Sequence, residues 1–128
     1  MQKKIFIAAT LLGLSGVFLG AYAAHGLRSV LPESALESFQ TGVRYQIYHE
    51  FFLFFIALNS YLSALQKKYI FSLTLAGIFL FSVSIYLLAI NALTSIDFTF
   101  LGPVTPIGGL FLISAWGFLL YGFVKHKN

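Results

Sequence analysis

Four stretches of this chain, at positions 5–24, 48–65, 69–93 and 106–124, are long and apolar, and none has an ionised side chain in its middle. A helix needs about 20 apolar residues to cross about 30 Å of hydrocarbon. A membrane barrel would instead alternate apolar and polar residues along short strands, and that alternation is missing. Continuous runs of this length read as helices. The second run has a more polar lead-in, which places the start of its helix near position 45. The expectation is an all-α membrane protein, a four-transmembrane-helix bundle forming one domain over residues 1–128, with spans at about 5–24, 45–65, 69–93 and 106–124. Charged residues make up 9% of the chain, against about 25% in soluble domains. Twelve charged side chains cannot cover a globule of 128 residues, which excludes a soluble enzyme domain.

The charges are ordered along the chain. Lys3 and Lys4, Lys67 and Lys68, and Lys125 and Lys127 form three pairs. Arg28, Glu33, Glu37, Arg44, Glu50 and Asp97 lie in the intervals. With four spans all six lysines fall on one side, and the positive-inside rule makes that side the cytoplasm. Both termini are then cytoplasmic. The short turn at Gln66, Lys67 and Lys68 makes spans two and three an antiparallel hairpin. A secretory signal ending near Ala21-Tyr22-Ala23 is the rival reading of the N-terminus. It fits less well because the apolar run exceeds the usual signal core of about 7–15 residues. The basic residues do not cluster as a nucleic-acid binder's would. The chain has no cysteine, which excludes disulfides and thiolate sites.

Local signals shape the outer connectors. Pro32 suits a first helical position, and Ser34-Ala35-Leu36-Glu37 is a capping-box pattern. With Leu36, Phe39 and Val43 at helical spacing, this predicts a short outer interfacial helix before helix 2, running into it or kinking near Gly42. Positions 91–103 carry Ile96, Phe98, Phe100 and Leu101, so that connector is expected to dip into the interface. Thr105 is placed to cap the fourth helix with Pro106 at its first position. Gly108 and Gly109 permit close backbone approach, and the helix's positive end faces Asp97 or an anion.

The candidate site follows from polar groups at membrane depth, which are costly and face the bundle interior or a wet cavity. Thr41, Tyr45 and His49 share one face of the second helix, Arg44 and Tyr48 form the next stripe, and Gln46 and Glu50 a third. His25 ends the first span at the same level. His25, Arg44, Tyr45, His49, Glu50, Asp97 and Thr105 therefore form either a polar belt tying helix ends together or a ligand site. The ligand reading covers a proton relay, a metal, or an anionic headgroup on Arg44. The belt is preferred, because buried polar groups in lipid must be hydrogen-bonded whether or not they bind anything. No Glu-x-x-His or His-Glu-x-x-His spacing joins His25 and His49, so no metal and no cofactor is predicted. His126 belongs to the basic tail and is read as solvated. Gly16, Gly20 and Ala24 form a small-residue ridge for packing, and Trp116 lies deep enough to pack between helices.

Three fragments carry a family resemblance. They are the stretch from Gly20-Ala21-Tyr22-Ala23-Ala24 through His25-Gly26-Leu27, the stretch from Phe39-Gln40-Thr41-Gly42-Val43-Arg44 through Tyr45-Gln46-Ile47-Tyr48-His49, and Thr105-Pro106-Ile107-Gly108-Gly109 followed by Ala115-Trp116. Together, and in this order, the chain resembles domain-of-unknown-function family 423, small bacterial inner-membrane proteins similar to the eukaryotic transmembrane protein 256. The resemblance implies four membrane helices and a bacterial plasma membrane, and no activity. Glu50 and Val83 depart from the pattern, which usually has a small residue and glycine there. The leading functional expectation is a structural or accessory membrane protein that binds lipid, a second copy of itself or a larger membrane complex. A carrier for a small molecule, proton or ion comes second, weakened because the polar groups cluster at one end. An outer-leaflet enzyme or redox protein comes third, with no motif behind it.

Overall fold

A computed structural model describes residues 1–127 and is helical throughout its regular elements. Helix α1 (Gln2–Tyr22) continues through a π-helical turn at Ala23–Leu27. Helix α2 spans Glu33–Leu58. Helix α3 (Ala64–Ile78) passes through a second π-helical turn at Phe79–Val83 into α4 (Ser84–Ala89). Short 3₁₀ turns at Asn91–Leu93 and Thr99–Leu101 lead to α5 (Val104–Lys125). Three continuous helical stretches, Gln2–Leu27, Ala64–Ala89 and Thr99–Lys125, are long and apolar enough to cross a membrane. Helix α2 is the polar exception. It carries Glu33, Glu37, Arg44, His49 and Glu50 along its length.

Several local expectations are corrected. No separate interfacial helix precedes α2, because residues from Glu33 onward are its first turns. Pro32, with extended ψ of 153°, is the N-cap and Glu33 the first helical residue, so Ser34 is not a cap. Gly42 does not break the helix. The bare glycine is covered by the Tyr86 ring, since a Cβ there would lie 2.6 Å from Tyr86 Cε1. Ser82 Oγ also donates to the Gly42 carbonyl at 2.8 Å.

The hairpin turn is displaced as well. Helix α2 stops at Leu58, and α3 starts at Ala64 with Ser63 as its N-cap. Ser63 Oγ accepts from the Gln66 N–H at 3.1 Å while Gln66 Oε1 accepts from the Ser63 N–H at 2.9 Å, a reciprocal capping box. Lys67 and Lys68 therefore lie in the opening turns of α3. Lys67 Nζ and Gln2 Nε2 both donate to the Ala57 carbonyl, at 3.0 and 3.1 Å. Carbonyls in the last turn of a helix have no intrahelical partner, and these two side chains supply one. His126 Nδ1 donates to the Tyr61 carbonyl at 3.1 Å. The N-terminus, the 59–63 turn and the C-terminal tail thus meet at one end, and all three lysine pairs with them.

Helix α1 packs along α2, α3 packs along α5, and α2 also touches α3 and α4. At the lysine end, Ile5 and Ala9 join Leu53, Ile56, Ile70 and Leu119 in a closed apolar cluster. At the other end, Ala23, Leu27 and Leu36 pack with Phe39 and Tyr86. Leu14, Val17 and Phe18 on the far side of α1 are each 70% exposed. A hydrocarbon surround exerts no hydrophobic drive between helices, so close contacts and polar bonds must carry the association. Gly108 shows how tight those contacts are. An added Cβ would sit 2.3 Å from the Phe81 backbone nitrogen, so α5 lies directly on the backbone of the second π turn. Gly16 makes a side-chain contact between α1 and α2, against the tip of Ile47 rather than against backbone.

Candidate functional site

The inward polar groups of α2 divide between two partners. Gln46 and Glu50, one turn apart, face α1. His49 faces α5.

Gln46 is 4% exposed and its amide is fully used. Nε2 donates to the Leu12 carbonyl at 2.9 Å and to Ser15 Oγ at 2.8 Å, and Oε1 accepts from the Tyr86 hydroxyl at 2.7 Å. One side chain therefore joins α1, α2 and α4. Ser15 Oγ in turn donates to the Leu11 carbonyl at 2.8 Å. The Tyr86 ring stacks at a tilt on Phe39 with centroids 4.8 Å apart.

His49 is also 4% exposed. Its Nδ1 lies 2.7 Å from the Tyr45 carbonyl, and its Nε2 lies 3.2 Å from the indole nitrogen of Trp116. A carbonyl only accepts and an indole N–H only donates, so the ring must be the neutral Nδ1–H tautomer. Both nitrogens are occupied. Phe52 closes the arrangement, with its centroid 4.4 Å from that of Trp116. Trp116 itself remains half-exposed on its other side.

A third junction joins the first residue of α4 to the first turn of α5. Ser84 Oγ and Thr105 Oγ1 are 2.6 Å apart. Thr105 is the second residue of α5 and Pro106 the third, with Pro103 as N-cap, so Thr105 bridges helices rather than capping one. Gly109 stands beside the Phe81 ring at ordinary van der Waals distance.

The remaining predicted residues lie apart from these junctions. Arg44 is exposed and donates to Thr41 Oγ1 at 2.8 Å. Tyr45 packs its ring on Phe81 at 4.9 Å. His25 is exposed on the first π turn. Ala24 is exposed too, so the small-residue ridge meets α2 only through Gly16 and Gly20. Asp97 is exposed in the connector, where its Oδ1 accepts from the Thr99 N–H at 3.0 Å. That bond and the Thr99 side chain hold its carboxyl below the ordinary value. Among the described residues no three His, Asp or Glu side chains gather in a metal-holding group. The residues that sequence reasoning missed are Ser82, Ser84 and Tyr86. A serine in an apolar helix carries a weak signal, and its partner is not encoded nearby.

Comparison with known proteins then places the chain. The family described as "Protein of unknown function (DUF423)" matches residues 19–109. The chain belongs to this family. A UPF0382 membrane protein of Haemophilus influenzae is 39% identical over 128 residues, covering 100% of this chain and 99% of the relative. The UPF0382 membrane protein YwdK of Bacillus subtilis is 36% identical over 127 residues, covering 98% and 99% respectively. A fission-yeast UPF0382 membrane protein, from Schizosaccharomyces pombe, is 33% identical over 117 residues, covering 91% and 98%. No solved structure matches. The DUF423 match takes in Gln46, His49, Tyr86 and the Gly108 contact, while Leu12 and Ser15 lie before its start and Trp116 beyond its end. The DUF423 chain is thus a membrane protein with three long apolar helices, and its relatives' names carry no activity.

Proposed function

We propose that this DUF423 protein is a four-span accessory protein of the bacterial plasma membrane that binds membrane lipid, with both termini in the cytoplasm. Helix α2 is the fourth span, its polar face turned inward onto α1, α4 and α5. All six lysines at one end support the orientation. The observation that carries the reading is a lateral crevice of about 210 Å³ beside α1, lined by Leu12, Leu19, Leu75, Ile78, Phe79 and Val83. Its polar wall is Ser15, Gln46 and Tyr86, whose groups are already bonded to one another. What remains facing the crevice is apolar, and a lipid acyl chain suits it. A carrier is less well supported, because the closed apolar cluster at the lysine end offers no polar continuation.

Two measurements test this. The full chain is reconstituted in vesicles of phosphatidylethanolamine and phosphatidylglycerol, extracted in mild detergent, and weighed by native mass spectrometry. Retained phospholipid is expected, and Leu19→Trp, which fills the crevice, is expected to strip it. Lipid-free protein, or equal retention by the variant, would refute lipid binding. For topology, a cysteine at position 67 should resist an impermeant thiol reagent on intact cells while one at position 96 reacts. The reverse pattern would overturn the orientation.

A further inference from the structure

Glu50 stands apart from the other polar groups of α2. It is 8% exposed. Its carboxyl lies on the bare backbone of Gly13, where an added Cβ would come within 3.1 Å of Cδ and 3.2 Å of Oε1. Among the described residues it has no hydrogen-bond donor and no cation beside it. Gln46, one turn away on α2, has both amide hydrogens engaged with Leu12 and Ser15. Helix α1 has no ionisable side chain between Lys4 and Tyr22, the α3–α4 stretch none between Tyr69 and Tyr86, and α5 none before Tyr121. On α2 itself, His49 is turned to Trp116, and Tyr45 and Tyr48 lie on other stripes. No fully enclosed side-chain oxygen or nitrogen lacks a partner among the described residues. The unpartnered carboxyl must therefore keep a narrow opening at the α1–α2 seam.

An unpaired charge transferred into an apolar surround is so costly that the group neutralises instead. We propose that Glu50 is a proton-binding carboxyl at membrane depth, uncharged and open to hydrocarbon at the α1–α2 seam, and hence a modification site for lipid-soluble carbodiimides. The chemistry is an addition. The acid proton passes to one carbodiimide nitrogen, the carboxyl oxygen bonds to the central carbon, and one C=N double bond becomes single. The resulting O-acylisourea rearranges by acyl migration from oxygen to nitrogen, giving a stable N-acylurea. Nothing leaves, so the protein gains the whole mass of the reagent. The carboxyls of Glu33, Glu37 and Asp97 belong to exposed residues at the opposite end from the lysines and serve as internal controls.

The inference rests on α2 being a span, and the test separates the two. The full chain in phospholipid vesicles is treated with dicyclohexylcarbodiimide or, in parallel, with a water-soluble carbodiimide, then digested and mapped by mass spectrometry. The lipid-soluble reagent is expected to add once, at Glu50, and the water-soluble one to modify Glu33, Glu37 and Asp97 while sparing Glu50. Gly13→Leu, which drives a side chain into the carboxyl's place, is expected to lower labelling at least tenfold, and Glu50→Gln to abolish it. If both reagents spare Glu50 in the wild-type protein, the proposal fails and the span assignment stands. If the water-soluble reagent modifies Glu50 as readily as Glu33, the carboxyl is in water and both fail. Unchanged labelling of Gly13→Leu would overturn the seam location.

Discussion

The hydroxyl of Tyr86 donates to Gln46 Oε1 at 2.7 Å, joining two buried side chains that are 40 residues apart in sequence. The same amide reaches Leu12 and Ser15 from its nitrogen. Helices in lipid gain little from burying apolar surface against one another. A single amide that ties three of them is therefore a disproportionate share of what sets their register.

Gln46→Leu should destabilise the protein by about 1–2 kcal/mol, because it leaves the buried Tyr86 hydroxyl without an acceptor. Tyr86→Phe should cost less. The double variant should recover part of the loss, since two apolar groups of similar shape replace a broken pair. Chemical denaturation in mixed micelles, followed by circular dichroism, measures all three. Additive losses would show that the two side chains act separately.

Gly108 and Gly117 lie on one helix and should behave in opposite ways. Gly108→Ala places a methyl 2.3 Å from the Phe81 nitrogen and 2.5 Å from the Leu80 carbonyl carbon, with backbone on both counts. A loss of about 3 kcal/mol or more, read as failure to elute as a single species from size exclusion, is expected. Nothing lies within 4 Å of a Cβ built at Gly117, so Gly117→Ala should change stability by no more than about 0.5 kcal/mol.

His49 should be locked as the Nδ1–H tautomer by the Tyr45 carbonyl and the Trp116 indole. The ¹⁵N shifts of the labelled ring check this directly, with Nε2 showing the acceptor signature. Trp116→Phe should move the Nε2 resonance and leave Nδ1 nearly unchanged. An Nε2–H ring in the wild-type protein would contradict the geometry.

Asp97 should titrate below its ordinary value of 3.8, because the Thr99 backbone N–H and then the Thr99 side chain favour the carboxylate. A carboxyl with a lowered folded-state value stabilises its surroundings fully above the ordinary value. That contribution is lost as pH falls through the lowered one. The connector at 97–99 should therefore stay ordered near neutral pH and loosen only in strong acid. Carboxyl ¹³C shifts of Asp97 give the midpoint, and Thr99→Ala should raise it.

The turn between α2 and α3 illustrates what a sequence holds and how it can be misread. The Ser63-to-Gln66 capping box is in the sequence, but the lysine pair beside it suggests a loop at 66–68. Lysine side chains are long enough to leave a helix for water, so a charge pair does not mark where the backbone turns. At Pro32, Ser34 and Gly42 the local signals favour a break before α2. The Tyr86 ring and the Ser82 hydroxyl outweigh them from 40 or more residues away.

Sequence alone determined that the chain is helical and membrane-bound, because long apolar runs in lipid must satisfy their own backbone hydrogen bonds. It also determined that the lysines alternate with the acids along the chain, and that α2 carries the polar groups. Only the tertiary structure decided which of those groups meet. It paired Gln46 with Tyr86 and His49 with Trp116, 67 residues away, and set Glu50 alone against Gly13. The reason is physical. Hydropathy is a property of each segment, whereas a hydrogen bond needs two atoms within about 3 Å, and only the packing of α1, α4 and α5 around α2 brings them there.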